Sequence, residues 1–139
     1  MNMTSSSSII NSKKEKEALL IQDLCARLRY GVKVTTTNPS VELGVISGIS
    51  IENKISVRTK HADIVFGCTE VKPYLRPMSS MTEEEIKQEK ELWDIITKTR
   101  NDLHYKYTDW LNSHFLDYRG LIPKGLALIA PKEMYQIKK

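Results

Sequence analysis

The chain has 139 residues, of which 40% are apolar and 27% charged, and its 21 lysines and arginines outnumber its 17 aspartates and glutamates. This length allows one domain but not two full enzyme domains, and the composition excludes a collagen-like or wholly disordered chain. No apolar run approaches the roughly 18 residues of a membrane span, and the first ten residues lack the positive charge that begins a signal peptide. We therefore expect a soluble protein that does not contact a membrane.

The N-terminal part predicts a tail followed by a helix. Residues 1–12 contain four consecutive serines and no periodic apolar pattern, which is typical of a flexible tail. Ser12 and Glu15 have the spacing of a capping box, so we expect the helix to begin there. One apolar stripe, repeating every four residues, consists of Leu20, Leu24 and Leu28. Gly31 suits the left-handed turn that ends a helix.

The next segment reads as several short strands. Apolar and polar residues alternate at 32–35 and 54–58, and further short strands are predicted at 41–49, which is apolar on both faces in places, at 64–66 and at 69–72. The gaps between the runs are too short for crossover helices, so the strands should pair antiparallel. Gly44 and Gly48 lie inside the second run, where glycine often marks a bulge or sharp bend. The count and spacing predict a small SH3-like or Tudor-like barrel, with a simple curled sheet as the alternative.

The C-terminal part begins with an extended strap over residues 73–77, because each of its two prolines disfavours the helical conformation in the residue before it. Thr82 and Glu85 then form a second capping box and predict a helix. Its apolar face should contain Ile86, Trp93 and Ile96. Another helix is predicted over residues 104–118, ending at Gly120, and a short strand over 126–129.

Together these elements predict an α+β fold. An N-terminal helix and a small antiparallel barrel or curled sheet occupy residues 13–77, after the tail at 1–12. A C-terminal helical pair and its following segment occupy residues 78–139 and should pack on the same core.

The excess of positive over negative charge lies in the first part of the chain. Residues 1–81 contain 11 Lys/Arg and 7 Asp/Glu, a net charge of +4, whereas residues 82–139 contain 10 of each. A basic face on the strands would suit phosphate backbones. The candidate nucleic-acid-binding residues are Lys33, Lys54, Arg58 and Lys60. The alternative is that these side chains are ordinary exposed cations that keep the protein soluble.

No pattern in the sequence indicates catalysis. Several acidic and histidine side chains lie close together in the chain, namely Asp102, His104, Asp109, His114 and Asp117. Their spacing fits no zinc motif, so structural roles are favoured over a metal or acid–base site. Cys25 and Cys68 lie in otherwise apolar stretches without a CxxC partner, which favours reduced core thiols in an intracellular protein. We predict no catalytic residue, no metal and no cofactor.

Three blocks of the sequence carry a resemblance to known proteins. They read LIQDLCARLRYGVKV at 20–34, VKPYLRPMSSMTEEE at 71–85 and TDWLNSHFLDYRGLIPKGLALIAPKEMY at 108–135. The chain resembles a family of small uncharacterised proteins of gut Bacteroidales and their phages and mobile elements. The resemblance implies a bacterial or phage origin and the cytoplasm of the host cell, and it implies no catalytic residue.

The sequence therefore predicts a non-enzymatic binding module that contacts a macromolecule, nucleic acid or protein, through its strand surface. One alternative is a small hydrolase or modifying enzyme that uses the Asp/His group near residues 102–117. Another is a structural component of a phage.

Overall fold

The computed structural model describes residues 3–41, 43–98 and 104–135. The helices are α1 (Met3–Arg27), α2 (Glu83–Lys98) and α3 (His104–Ser113). The strands are β1 (Lys33–Thr36), β2 (Gly44–Ile49), β3 (Ile55–Arg58), β4 (Asp63–Phe66), β5 (Val71–Leu75) and β6 (Leu128–Ile129). Short 3₁₀ turns occupy Leu28–Tyr30, Cys68–Glu70 and Met78–Ser80. The predicted α+β class is confirmed. A helix that could span a membrane is not found in these described parts of the chain.

The described strands form one open, mixed sheet in the order β4-β3-β2-β1-β5-β6. Neighbouring strands pair antiparallel except β5 and β6, which are parallel. Because β4 and β6 lie at opposite edges, the predicted SH3-like or Tudor-like barrel is wrong. Leu20 and Leu24 of α1 share one buried cluster with the sheet. A helix, about 10 Å across, thus fills the space into which a small barrel would curl.

The two strand glycines have separate roles. The register between β2 and β3 shifts between Ile46 and Gly48, so an irregularity of the ladder lies next to the second glycine. At Gly44 a Cβ atom would lie 2.2 Å from Cγ1 of Val57, so only glycine fits beside the neighbouring strand.

The proline-bounded strap is part of the sheet. Residues 68–70 form a 3₁₀ turn instead of the predicted strand, and β5 starts at Val71. Pro73 lies opposite Val34 of β1, and β6 joins β5 one residue later, at Tyr74. The proline, which has no N–H to donate, thus lies where the pairing of β5 with β1 ends and just before its pairing with β6 begins.

Helix α1 begins at Met3, so the predicted start at Ser12 is wrong and the predicted tail is helical from residue 3. Once the packed part of a helix has formed, each further residue adds a hydrogen bond at little cost, which extends the helix upstream. The predicted end is confirmed, because Gly31 has a left-handed conformation with φ of 72°.

The start of α2 is as the sequence predicts. Thr82 Oγ1 accepts the Glu85 N–H at 3.2 Å, and Glu85 Oε1 accepts the Thr82 N–H at 2.9 Å. The predicted apolar face is only partly buried, because Ile96 is enclosed while Ile86 and Trp93 are 46% and 38% exposed.

Helix α3 ends at Ser113, five residues before the predicted end. Phe115 adopts a left-handed conformation with φ of 58° and donates its N–H to the Asn112 carbonyl. The chain then runs beside Arg76, whose N–H donates to the Phe115 carbonyl at 2.7 Å and whose carbonyl accepts the Asp117 N–H at 2.8 Å. This pairing takes the backbone groups that a longer helix would use.

A buried charged cluster joins α1 to the segment after α3. The Asp23 carboxylate accepts hydrogen bonds from Arg27 Nε at 2.9 Å and from Arg119 Nη1 at 2.8 Å. The side chains of Asp23 and Arg27 are fully buried, and that of Arg119 is 16% exposed. Asp117, although only two residues before Arg119, takes no part in this cluster, because its carboxylate accepts the N–H groups of residues 121 and 122.

This cluster generates a stability prediction. Asp23→Asn keeps the size of the side chain but leaves two guanidinium groups facing an amide, and we expect a loss of roughly 3–5 kcal/mol in the free energy of unfolding. Arg119→Ala leaves Asp23 paired with Arg27 and should cost less, about 1–3 kcal/mol. Urea unfolding measures both, with the exposed Asp94→Asn as control. Equal losses for the two variants would contradict this account of the cluster.

Candidate functional site

The structure places the predicted nucleic-acid-binding residues on the outer face of the sheet and beyond the two ends of β3. Lys33 and Arg58 both pair with Val45 across the ladder, so they share the outer face of the sheet. Lys33 Nζ donates to the Met134 carbonyl at 2.9 Å, and Arg58 Nε lies 3.3 Å from Asp63 Oδ1. Both cations therefore already have a protein partner.

Lys54 and Lys60 are exposed just outside the two ends of β3. The four residues of β3 correspond to about 13 Å of extended chain, so the two lysines lie apart at opposite ends of this strand. The four predicted residues are thus spread over the outer face of the sheet and the two ends of β3, and they do not form one compact patch.

The structure separates most of the predicted Asp/His group, and Asp102 lies outside the described residues. Asp109 binds Arg29 and Tyr30, and the exposed His104 lies edge-on to the ring of Trp93. Asp117 caps the backbone of the following turn. The cysteines also differ from their prediction as core residues, because Cys25 is exposed and Cys68 half-buried.

A cleft of about 540 Å³ lies between β6 and the first turns of α2. Its apolar walls are Pro77, Ile129, Ala130 and Pro131. Its polar lining is Arg76, Ser80, Thr82, Glu84, Glu85, Gln88, Lys132 and Tyr135. Volumes of 300–1,000 Å³ are typical of ligand pockets. No local pattern in the sequence predicts this cleft.

The floor of the cleft is an ion pair between Arg76 and Glu85. Arg76 Nη1 donates to Glu85 Oε2 at 2.8 Å and Nη2 to Oε1 at 2.6 Å, while the side chains are only 12% and 3% exposed. The guanidinium also donates to the carbonyls of His114 and Ser80. This two-pronged geometry holds the start of α2 against the end of β5.

The carboxyl group of Glu85 is held in its ionised form. Burial alone would raise its pKa, but hydrogen bonds from Arg76 and the Thr82 N–H, together with the charge of Arg76, lower the pKa from 4.5 to about 2. His114 Nε2 lies 4.0 Å from Glu85 Oε2, and Nδ1 lies 2.8 Å from the Trp110 carbonyl.

Tyr135 forms the wall of the cleft nearest the sheet. Its hydroxyl accepts the Lys33 N–H at 2.8 Å and donates to the Tyr74 carbonyl at 2.8 Å, so it bridges β1 and β5. Its ring stacks on Phe115 with centroids 3.7 Å apart. Burial raises the pKa of this hydroxyl well above its usual value of 10.

Side chains that ligate metals do not gather in groups of three or more anywhere in the described ranges. No protein-family model, curated protein sequence or solved structure matches the chain. The resemblance to small Bacteroidales and phage proteins therefore stays a prediction.

The lowered pKa of Glu85 predicts a specific pH dependence. Its folded pKa lies below the ordinary 4.5, so the stabilisation is complete above about pH 4.5 and disappears as the pH falls toward 2. Glu85→Gln keeps the capping box but removes the charge. Urea unfolding should show the variant less stable than the parent at pH 7, with the difference shrinking below pH 4.5.

Glu84→Gln is the matched control, because that neighbouring carboxylate is exposed. A Glu85→Gln difference that stays constant from pH 7 to pH 2 would contradict the role of the charge.

Proposed function

We propose that this protein is a non-enzymatic binding module and that the cleft between β6 and α2 receives a segment of a partner protein. The observation that carries the proposal is the cleft itself, about 540 Å³ with walls of proline, isoleucine and alanine over a satisfied ion pair. An apolar cavity with a few fixed polar groups is typical of a recognition pocket.

The polar groups of the cleft support binding rather than chemistry. The Ser80 hydroxyl donates to the Pro77 carbonyl, and the Thr82 hydroxyl accepts the Glu85 N–H. With its pKa near 2, Glu85 is ionised at neutral pH and poorly suited to transfer protons. These groups are occupied in holding the walls in place.

The charges near the cleft favour a protein over a nucleic acid at this site. The first turn of α2 has three consecutive glutamates, Glu83 to Glu85, and Arg76 neutralises only the last of them. Glu84 lines the rim, where it would repel a phosphate backbone.

A displayed library of random 12-residue peptides tests the proposal. We expect the parent protein to enrich peptides that share an apolar residue. Gln88→Trp fills the cleft from α2 and should weaken the affinity for these peptides at least ten-fold. Gln88 lines the cleft, whereas Thr97 is exposed in the last turn of the same helix, so Thr97→Trp is the matched control. Enriched peptides that bind parent and Gln88→Trp equally would contradict a site in the cleft.

A second candidate function is nucleic-acid binding by the outer strand face, supported by the net charge of +4 in residues 1–81. Lys33, Lys54, Arg58 and Lys60 would contact phosphates without sequence preference.

Fluorescence anisotropy with labelled DNA and RNA at low salt measures this activity. Reversing Lys54 and Arg58 to glutamate should weaken binding and flatten its salt dependence, because each phosphate contact releases counterions. Reversal of the exposed Lys87 on α2 is the control. An affinity unchanged by the double reversal would exclude the strand face as the site.

A further inference from the structure

We infer that the partner segment binds as an added strand on the open edge of β6, in extended conformation, with one apolar side chain inserted into the cleft. This inference rests on the proposed function and specifies how the partner is recognised.

The first argument is the direction of the backbone groups in β6. The Ala130 N–H donates to the Leu75 carbonyl at 2.8 Å, and Leu128 lies beside Tyr74 in the parallel ladder. In a parallel pair, alternate residues of a strand direct both backbone groups toward the neighbour. Leu128 and Ala130 therefore face β5, and the N–H and carbonyl of Ile129 face the open edge.

The second argument is that this open edge coincides with the cleft. Ile129 is 61% exposed and also lines the cleft, so a chain hydrogen-bonded to its backbone lies along the mouth. An added strand lies about 4.8 Å from the edge strand, and every second side chain points to the same face. One such side chain can enter the apolar part of the cleft while the backbone of the added strand forms hydrogen bonds with the N–H and carbonyl of Ile129.

The rims of the cleft add charge complementarity. Glu84 lies on the α2 rim and Lys132 on the rim that follows β6, so opposite charges border the mouth. An extended peptide with a basic residue on one side of its apolar anchor and an acidic residue on the other suits both. The partner segment is therefore a peptide with an apolar anchor between opposite charges.

The local sequence also limits how the peptide can pair. β6 has only two residues, and Pro131 has no N–H to offer on the same edge. Ile129 is thus the one residue of β6 with both backbone groups directed outward, and this fixes a single register. Short edge strands followed by proline resist indiscriminate pairing, so binding depends on the anchor as well as on the backbone.

The test uses the peptides enriched by the parent in the library selection and methylates one backbone nitrogen at a time. Methylation removes the donor without changing the side chain. If the peptide adds to β6, methylation at the residue that donates to the Ile129 carbonyl should weaken binding at least ten-fold, and methylation at either neighbour should have little effect.

A pair of protein variants tests the same contact from the other side. Ile129→Pro removes an N–H that the β5–β6 ladder does not use, whereas Ile129→Val keeps it and changes the side chain only slightly. We expect the first to weaken binding at least ten-fold and the second less than three-fold, with urea unfolding used to confirm that both are folded. If Ile129→Pro does not fold, the methylation scan alone decides.

Enriched peptides that are blocked by Gln88→Trp but show no position-dependent effect of methylation would overturn strand addition and leave the cleft as the site. A selection that enriches no peptide would overturn the proposed function together with this inference.

Discussion

Arg76 is the residue on which the arrangement around the cleft depends. Its backbone joins the end of β5 to the segment after α3, through bonds to Phe115 and Asp117. Its side chain joins the same point to the first turn of α2 through Glu85. A guanidinium that is only 12% exposed requires acceptors for its donors, and three elements supply them. The cleft floor is therefore rigid because a buried cation has to be satisfied from several directions at once.

A backbone hydrogen bond from Arg76 and a side-chain hydrogen bond from Arg27 hold the unusual conformation of Phe115. A left-handed phenylalanine costs roughly 1–3 kcal/mol, yet the turn is held on both sides. Its carbonyl accepts the Arg76 N–H, and the carbonyl of Leu116 accepts Arg27 Nη2 at 2.6 Å. The ring meanwhile stacks on Tyr135. Two arginines from different elements thus offset the strain of one turn and fix where α3 ends.

The features that the sequence predicted correctly are those set by neighbouring residues. The capping box of Thr82 and Glu85 and the left-handed Gly31 need only a few residues of context. The end of α3 depends instead on Arg76, which lies far away in the chain, and helical periodicity alone extends the helix too far. The candidate site was missed for the same reason. Its walls come from residues 76–88 and 129–135, and no local pattern shows that β6 lies parallel beside β5.

The hydroxyl of Tyr135 occupies a rung of the ladder between β1 and β5, and this position has a kinetic consequence. Lys33 lies opposite Tyr74 in the register of the two strands, but the hydroxyl of Tyr135 stands between them. Tyr135 is 102 residues from Lys33 and 61 residues from Tyr74 along the chain. Contacts between such distant residues form slowly, because closing a long loop costs chain entropy before the contact contributes any stabilisation. β1 and β5 can therefore pair early along most of their length, whereas their last rung closes only when the C-terminal segment has docked.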